Sequence, residues 1–305
     1  MATAHTCRYR PGHPLMVSAI LGVFQHGGGD PTFARDESGH WLARRTPAGP
    51  GTLLLQPDPA GGDVLASAWG AGASWLLDAV PDLLGAGDDP TGFVPQHPVL
   101  AQAQRRFDGW RVPRSRLVLD SLVPAVIEQK VTGKEAFASY RTLVRRFGEP
   151  APGPERGLYV APTARDWAAI PSWEWLQAGV TPKRSATVIA CARVAGRLEQ
   201  CPDLPLPAAR ARLQAVPGVG TWTMAEVAQR ALGDPDSPSF GDYHLAKNVG
   251  WALVARRDLD DADLAELLEP YAGHRYRAVR LLELAGGGAP RRGPRMTLPT
   301  HLPTR

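Results

Sequence analysis

A chain of 305 residues with 44% apolar side chains is long enough to bury a full core in one or two domains. No apolar run reaches bilayer length and the N-terminus lacks a signal-peptide core. Three scattered cysteines (Cys7, Cys191, Cys201) provide neither a disulfide framework, nor a zinc site, nor the four thiolates of an iron–sulfur cluster. The expectation is a cytoplasmic, reduced protein without a metal cluster. The net charge of +4 is unevenly placed: Thr46 to Gln104 holds six aspartates and no Lys or Arg, residues 101–150 carry ten basic against five acidic side chains, and residues 271–305 carry seven arginines against one glutamate. Such asymmetry predicts a basic face for an anionic polymer with the acidic part turned away from it, or else solvated helix faces and a frayed tail.

In chain order, Arg8-Tyr-Arg-Pro-Gly-His-Pro14 is loop-like, and Leu15 to Val23 reads as a helix. Trp41 to Arg45, Thr52 to Gln56 and Asp63 to Trp69 are strand-length pieces separated by Gly and Pro clusters, the last of them ambiguous between strand and helix. His13, His26 and His40 lack metal-ligand spacing and are taken as structural or exposed. Trp75 to Leu84 is a short helix closed by Gly85, and the Gly/Asp/Pro-rich segment to Pro98 reads as the junction between domains.

Beyond it the pattern is almost wholly helical. Leu117 to Val131 lines up Leu119, Leu122, Val123, Val126 and Ile127 on one face, with a kink or break expected at Pro124. Glu135 to Phe147 is a second amphipathic helix ended by Gly148. Trp167 to Val180 holds Trp173 and Trp175 on opposite sides, core packing being the usual fate of such rings. Pro182 opens a helix running to Leu198, with Val188, Ile189, Ala192 and Ala195 inward. A helix from Leu206 to Ala215, the turn Pro217-Gly-Val-Gly220, and a helix from Thr221 to Leu232 form a helix-hairpin-helix. Two glycines two apart let the backbone turn sharply and leave its amides uncovered. Amides at a helix start, aided by the helix dipole, favour a phosphate. The hairpin can thus grip a nucleic-acid backbone without reading bases, or it is only a turn. Asp242 opens the next helix, which carries Leu245, Val249, Ala252 and Leu253. An acidic stretch (Asp258 to Glu269) and a last helix (His274 to Leu284) follow, then a basic tail expected to be disordered.

The hairpin, Trp222 just past it, the loop Gly233-Asp-Pro-Asp-Ser-Pro-Ser-Phe-Gly-Asp242 and Asp242-Tyr-His244 stand in an order that resembles the helix-hairpin-helix-GPD superfamily of DNA glycosylases. Val126-Ile-Glu-Gln-Lys-Val-Thr-Gly-Lys-Glu-Ala136 and Gly179-Val-Thr-Pro-Lys-Arg184 are similar to segments of its bacterial alkyladenine (3-methyladenine) glycosylase II group. Arg10-Pro-Gly-His-Pro14, Gly39-His-Trp41 and Ala68-Trp-Gly70 resemble, more loosely, that group's β-rich N-terminal domain. The resemblance implies an α+β fold with a mixed α/β domain over residues 1–98, a helical glycosylase domain over 99–285 and a disordered tail over 286–305.

It also implies a function: a monofunctional glycosylase of base excision repair, acting as a monomer on duplex DNA that contains a damaged, alkylated purine. The alternatives are a non-catalytic DNA-binding protein on the same scaffold and a glycosylase for another lesion. By the resemblance Asp242 is catalytic, its carboxylate stabilising the electron-poor sugar carbon and orienting water; a helix N-cap is the competing role. Trp222 stands where strand-nicking relatives carry a Schiff-base lysine, and Lys247 is on another helical face. Trp222 and Tyr243 would hold the extruded base, while Glu226 and Glu283 occupy positions where the group has pocket aromatics and are either pocket carboxylates or solvated ones. Pro217, Gly218, Val219, Gly220 and Thr221 would meet the strand, and His244 would meet phosphate, orient the aspartate loop or simply pack. Gln129 and Lys130 would enter the minor groove, where Lys130 replaces the usual apolar wedge; an exposed helix end is the plain reading of both. No cofactor is implied beyond a monovalent cation on the main-chain carbonyls of Gln214, Val216 and Val219.

Overall fold

A computed structural model describes residues 4–58, 62–154 and 156–290. It has an α+β fold, with an antiparallel sheet at the N-terminal end and helices through most of the rest. The sheet is built from β1 (His5–Tyr9), β2 (Phe33–Asp36), β3 (Gly39–Thr46), β4 (Gly49–Pro57) and β5 (Val64–Trp69) in the order β1-β5-β4-β3-β2, with α1 (Val17–Leu21) between β1 and β2. The loop-like reading of residues 8–14 is corrected at its start, since Arg8 and Tyr9 pair with Leu65 and Val64. The ambiguous segment before Trp69 is a strand. Its alternation decides this: Val64, Ala66 and Ala68 are buried against the helices while Leu65 is exposed.

The sheet is covered on both faces. Leu42, Leu53 and Leu55 turn to the helical side, whereas Trp41, Leu54 and Trp69 turn to the other and meet Leu158 and Val160. The Trp41 and Trp69 rings stack at 5.6 Å. Next come α2 (Ala73–Asp78), α3 (Val80–Leu83) and α4 (Pro98–Arg106). The core on this side draws in the far end of the chain: α13 (Leu245–Val254), α14 (Asp261–Leu268) and α15 (Arg275–Leu284) bury Val249, Leu264, Leu268, Tyr276 and Leu281 against it.

A second core surrounds α5 (Val118–Ile127), whose residues Ser121 to Ile127 are all buried. Pro124 does not end this helix: it continues to Ile127, and the Pro124 carbonyl still accepts from Glu128 N at 2.9 Å. Around it pack α6 (Gly133–Phe147), α7 (Ala164–Ala169), α8 (Ser172–Gln177), α9 (Pro182–Arg193), α10 (Ala195–Leu198), α11 (Leu206–Gln214) and α12 (Thr221–Val227). The short strands β6 (Glu149–Pro150) and β7 (Tyr159–Val160) pair between α6 and α7. A capping box between Thr132 and Glu135 starts α6, two residues earlier than its apolar periodicity indicates. Trp175 is 1% exposed, but Trp173 on the opposite side of α8 is 60% exposed, contrary to the expectation that both pack inward.

The acidic segment is not turned away as a block. Asp82 faces Arg114 and Arg116 at 3.6 and 3.8 Å, Asp63 faces Arg8 at 3.3 Å, and buried Asp88 pairs with buried Arg277 at 2.5 Å. Asp88 also accepts Val112 N, so its carboxylate joins the sheet-side helices to α15. Arg44 reaches Asp120 of α5 at 3.2 Å; burial raises the Asp120 pKa while Arg44 lowers it. The basic tail from residue 291 onward lies outside the described residues, while Arg257 and Asn248 hold Pro290 and Ala289. Among the described residues no helix is long and apolar enough to cross a membrane.

Candidate nucleic-acid interface and active site

Between α11 and α12, Val216 and Val219 point inward and pin the turn to the second core, leaving Pro217, Gly218, Gly220 and Thr221 exposed. Val219 N donates to Val216 O at 3.0 Å. Gly218 takes φ +91°, and a Cβ there would lie 2.1 Å from Thr187 Oγ1, so both the backbone and the packing demand glycine. Gly220 is extended, and a Cβ there would meet nothing within 4 Å. Nothing inside the molecule therefore requires glycine at 220. Among the described residues the amides of Gly218, Gly220, Thr221 and Trp222 find no acceptor. They face solvent at a helix start, where an anion is favoured. Beyond Val227 the helix widens into a π turn, Ala228–Leu232, and stops at Gly233 with φ +71°. Of the carbonyls named for a cation, Val216 O accepts the Val219 amide, while Gln214 O and Val219 O accept no hydrogen bond among the described residues.

The loop between α5 and α6 comes to the same surface. Gln129 Nε2 donates to Gly218 O at 3.0 Å and to Thr223 Oγ1 at 2.8 Å, so its amide bolts this loop to the hairpin. Lys130 follows in the left-handed region at φ +55° and is exposed. Behind it His26 Nδ1 meets Glu128 Oε1 at 3.1 Å, tying the loop to the segment after α1.

Asp242 approaches from the other side. A Cβ built on Gly241 (φ +87°) would lie 3.9 Å from Trp222 Cβ, which sets the aspartate turn against the hairpin helix. Asp242 Oδ1 accepts His244 N at 2.7 Å and Leu245 N at 3.0 Å. The carboxylate thus braces the entry to α13 from two residues before its N-cap, His244, so Asp242 is not itself the N-cap that one reading of the sequence made it. Its Oδ2 has no partner among the described residues, and the side chain is only half-buried. One oxygen fixes the group while the other is free to act.

The four pocket residues are dispersed in kind. Trp222 is half-buried beside Gly241. Tyr243 is 76% exposed, with Lys247 Nζ 3.9 Å from its ring centroid and the His244 ring edge-on at 4.8 Å. It stands on the surface and does not wall an enclosed pocket. Glu226 is not free in a pocket: Oε2 takes Arg230 at 2.7 Å and Oε1 takes the Ser239 hydroxyl. Glu283 is exposed and pairs with Arg280 at 2.8 Å on α15. All four of these charges surround Tyr276, an aromatic the sequence reading missed. Burial pushes its hydroxyl up to about 12, with Glu283 and Glu226 adding to the rise and Arg280 and Arg230 opposing it. Also missed was Asp234, fully buried, which accepts Arg210 Nε at 2.7 Å and Ser237 Oγ at 2.6 Å and holds the loop before Asp242 in shape. A Gly-Asp-Pro turn announces a loop but does not say which aspartate bends inward.

No family model matches the chain. It is 29% identical over 184 residues to a probable bifunctional transcriptional activator/DNA repair enzyme AlkA from two strains of Mycobacterium tuberculosis, over 59% of this chain and 34% of theirs. The chain thus matches about a third of the length of these curated relatives. Among solved structures, the 3-methyladenine DNA-glycosylase of Archaeoglobus fulgidus superposes with a TM-score of 0.70 at 15% identity, covering 92% of this chain and 98% of that one. The Clostridium acetobutylicum 8-oxoguanine glycosylase/lyase, in complex with double-stranded DNA, does so with a TM-score of 0.68 at 12% identity, covering 94% and 98%. Likeness at such low identity establishes a shared fold, here across nearly the whole chain.

Proposed function

We propose that the chain is a helix-hairpin-helix-GPD DNA glycosylase and, within that superfamily, a monofunctional enzyme of base excision repair. The substrate class is duplex DNA with a damaged purine, an alkylated one in the first instance, in line with the archaeal 3-methyladenine DNA-glycosylase whose fold it shares. One observation carries the reading. Asp242 holds one carboxylate oxygen on two backbone amides and leaves the other open, beside a hairpin whose amides also face outward.

In this reading the amides of Gly218, Gly220 and Thr221 take a phosphate, with His244 and Tyr243 along the same strand. Lys130, lifted by its left-handed backbone, enters the minor groove and meets phosphate with its ammonium while its stem fills space. The damaged nucleotide leaves the stack toward Trp222. As the base–sugar bond breaks, positive charge builds on the sugar carbon. Asp242 Oδ2 stabilises that charge and orients the attacking water. Gln214 O and Val219 O, with the second lone pair of Val216 O, would hold a monovalent cation against the phosphate, which would supply positive charge for its oxygens.

Trp222 has no amine to attack the sugar, so the expected product is an intact strand with an abasic site, cleaved only after alkali. Borohydride added during turnover should trap no protein–DNA adduct; a trapped adduct would overturn the monofunctional assignment. Binding should be salt-dependent, log K falling linearly with log salt. Lys130→Ala should reduce that slope by about one, the contribution of one phosphate contact. An unchanged slope, measured by titration at several salt concentrations, would remove Lys130 from the interface.

A further inference from the structure

Glu226 stands out because the proposed mechanism leaves it without a task, although it is half-buried one helical turn past Trp222. Arg230 Nη1 donates to its backbone carbonyl at 2.9 Å and to Oε2 at 2.7 Å, while Arg230 Nε reaches Val23 O at 2.8 Å. The carboxylate is therefore locked from one side. Its other oxygen accepts the Ser239 hydroxyl. Ser239 Oγ also accepts Gln229 Nε2 at 2.9 Å, and that amide donates to Ser237 O at 2.7 Å. Ser239 O in turn accepts Asp242 N at 3.1 Å. A continuous chain of bonds thus runs from the hairpin helix to the amide of the aspartate.

We infer that Glu226 and Ser239 are positioning residues for Asp242, holding its turn at a fixed height against α12, an inference that rests on the glycosylase reading for its kinetic consequence. The physical reason is geometric. Residues 233–242 contain no regular helix or strand, and the backbone immediately before Asp242 is held only from the α14 side, where Gly241 N donates to Asp261 Oδ2 at 2.7 Å. The Oδ1 bonds to His244 and Leu245 orient the carboxylate relative to α13 but not relative to the hairpin. The Ser239 hydroxyl supplies that second reference, because it is bonded to two side chains of the hairpin helix. Displacing a reacting group by about 1 Å costs on the order of 100-fold in rate.

Ser239→Ala is the discriminating variant, since it breaks the link while keeping the half-buried Glu226–Arg230 pair. Single-turnover base release should fall by about 30- to 100-fold, with the Kd for duplex DNA within about twofold of the parent. Ser239→Thr, which keeps the hydroxyl, should recover most of the rate. Amide hydrogen exchange on the unliganded protein should quicken over residues 239–245 in Ser239→Ala and stay unchanged over 221–227. If the parent releases bases and Ser239→Ala keeps its rate, the inference fails and the glycosylase reading stands. If the parent releases no base from any duplex, the glycosylase reading fails, and exchange then decides the link: quickening at 239–245 supports it and unchanged exchange overturns it.

Discussion

Asp242→Asn should abolish base release while leaving the fold and DNA binding nearly intact. Asparagine accepts backbone amides at a helix start about as well as aspartate, so the bonds from His244 N and Leu245 N to Oδ1 survive in kind, and stability should change by no more than about 0.5 kcal/mol. What disappears is the negative charge. At about 4 Å and an effective dielectric near 20, a carboxylate and a full positive charge interact by roughly 4 kcal/mol. That corresponds to about a thousandfold in rate. The two roles of Asp242, brace and charge, are therefore separable by one substitution. Single-turnover kinetics on a duplex with one alkylated purine, with thermal melting alongside, measures both. Release at the parental rate would remove Asp242 from the mechanism. A large loss of Tm would mean that the brace, not the charge, had been damaged.

Gly218→Ala should strike the fold, and Gly220→Ala should strike only binding. At Gly218 an L side chain must adopt a left-handed conformation, at about 1–2 kcal/mol. Its methyl would also overlap Thr187, whose β-branched side chain has few rotamers to retreat into, adding about 1–3 kcal/mol. A total near 3 kcal/mol should lower Tm by roughly 6–10 °C. Gly220 is already extended and its added methyl meets no protein atom, so Gly220→Ala should keep the parental Tm. That methyl would project from the exposed turn whose amides a phosphate would use, and DNA affinity should fall about tenfold, the worth of a charge-assisted hydrogen bond. Parental affinity in Gly220→Ala would indicate that the strand passes elsewhere.

Much of this architecture is visible in residue patterns, and the exceptions have physical causes. Helices with sustained periodicity, such as those around Leu122 and Val188, lie close to their expected places because one apolar stripe suffices to define them. The hairpin is legible for a different reason: Pro217 and Gly218 have backbone requirements that few other residues meet. Strand β1 is not legible, since an edge strand reading His-Thr-Cys-Arg-Tyr has weak alternation and gains its identity only from pairing with β5. Nor does the sequence reveal that α13, α14 and α15 return to the sheet, because long-range burial leaves no local mark. The charged side chains were the hardest to place. Glu226, one turn from Trp222, invites a pocket role by its spacing, yet it is engaged by Arg230 and Ser239, and the latter lies thirteen positions away across an irregular loop. Gln129 was expected to face DNA, and its amide is taken up by Gly218 and Thr223, which joins two loops that sequence can only treat separately.

The central claim is that the hairpin amides and the open oxygen of Asp242 serve the same DNA strand. A crystal structure of Asp242→Asn bound to a duplex carrying one alkylated purine tests it most directly. A phosphate should lie within hydrogen-bond distance of the Gly218 and Gly220 amides, with the damaged nucleotide turned out beside Trp222 and the residue-242 carboxamide facing its sugar carbon. A duplex seated on another face, or one gripped by the hairpin with residue 242 turned away from the sugar, would contradict it.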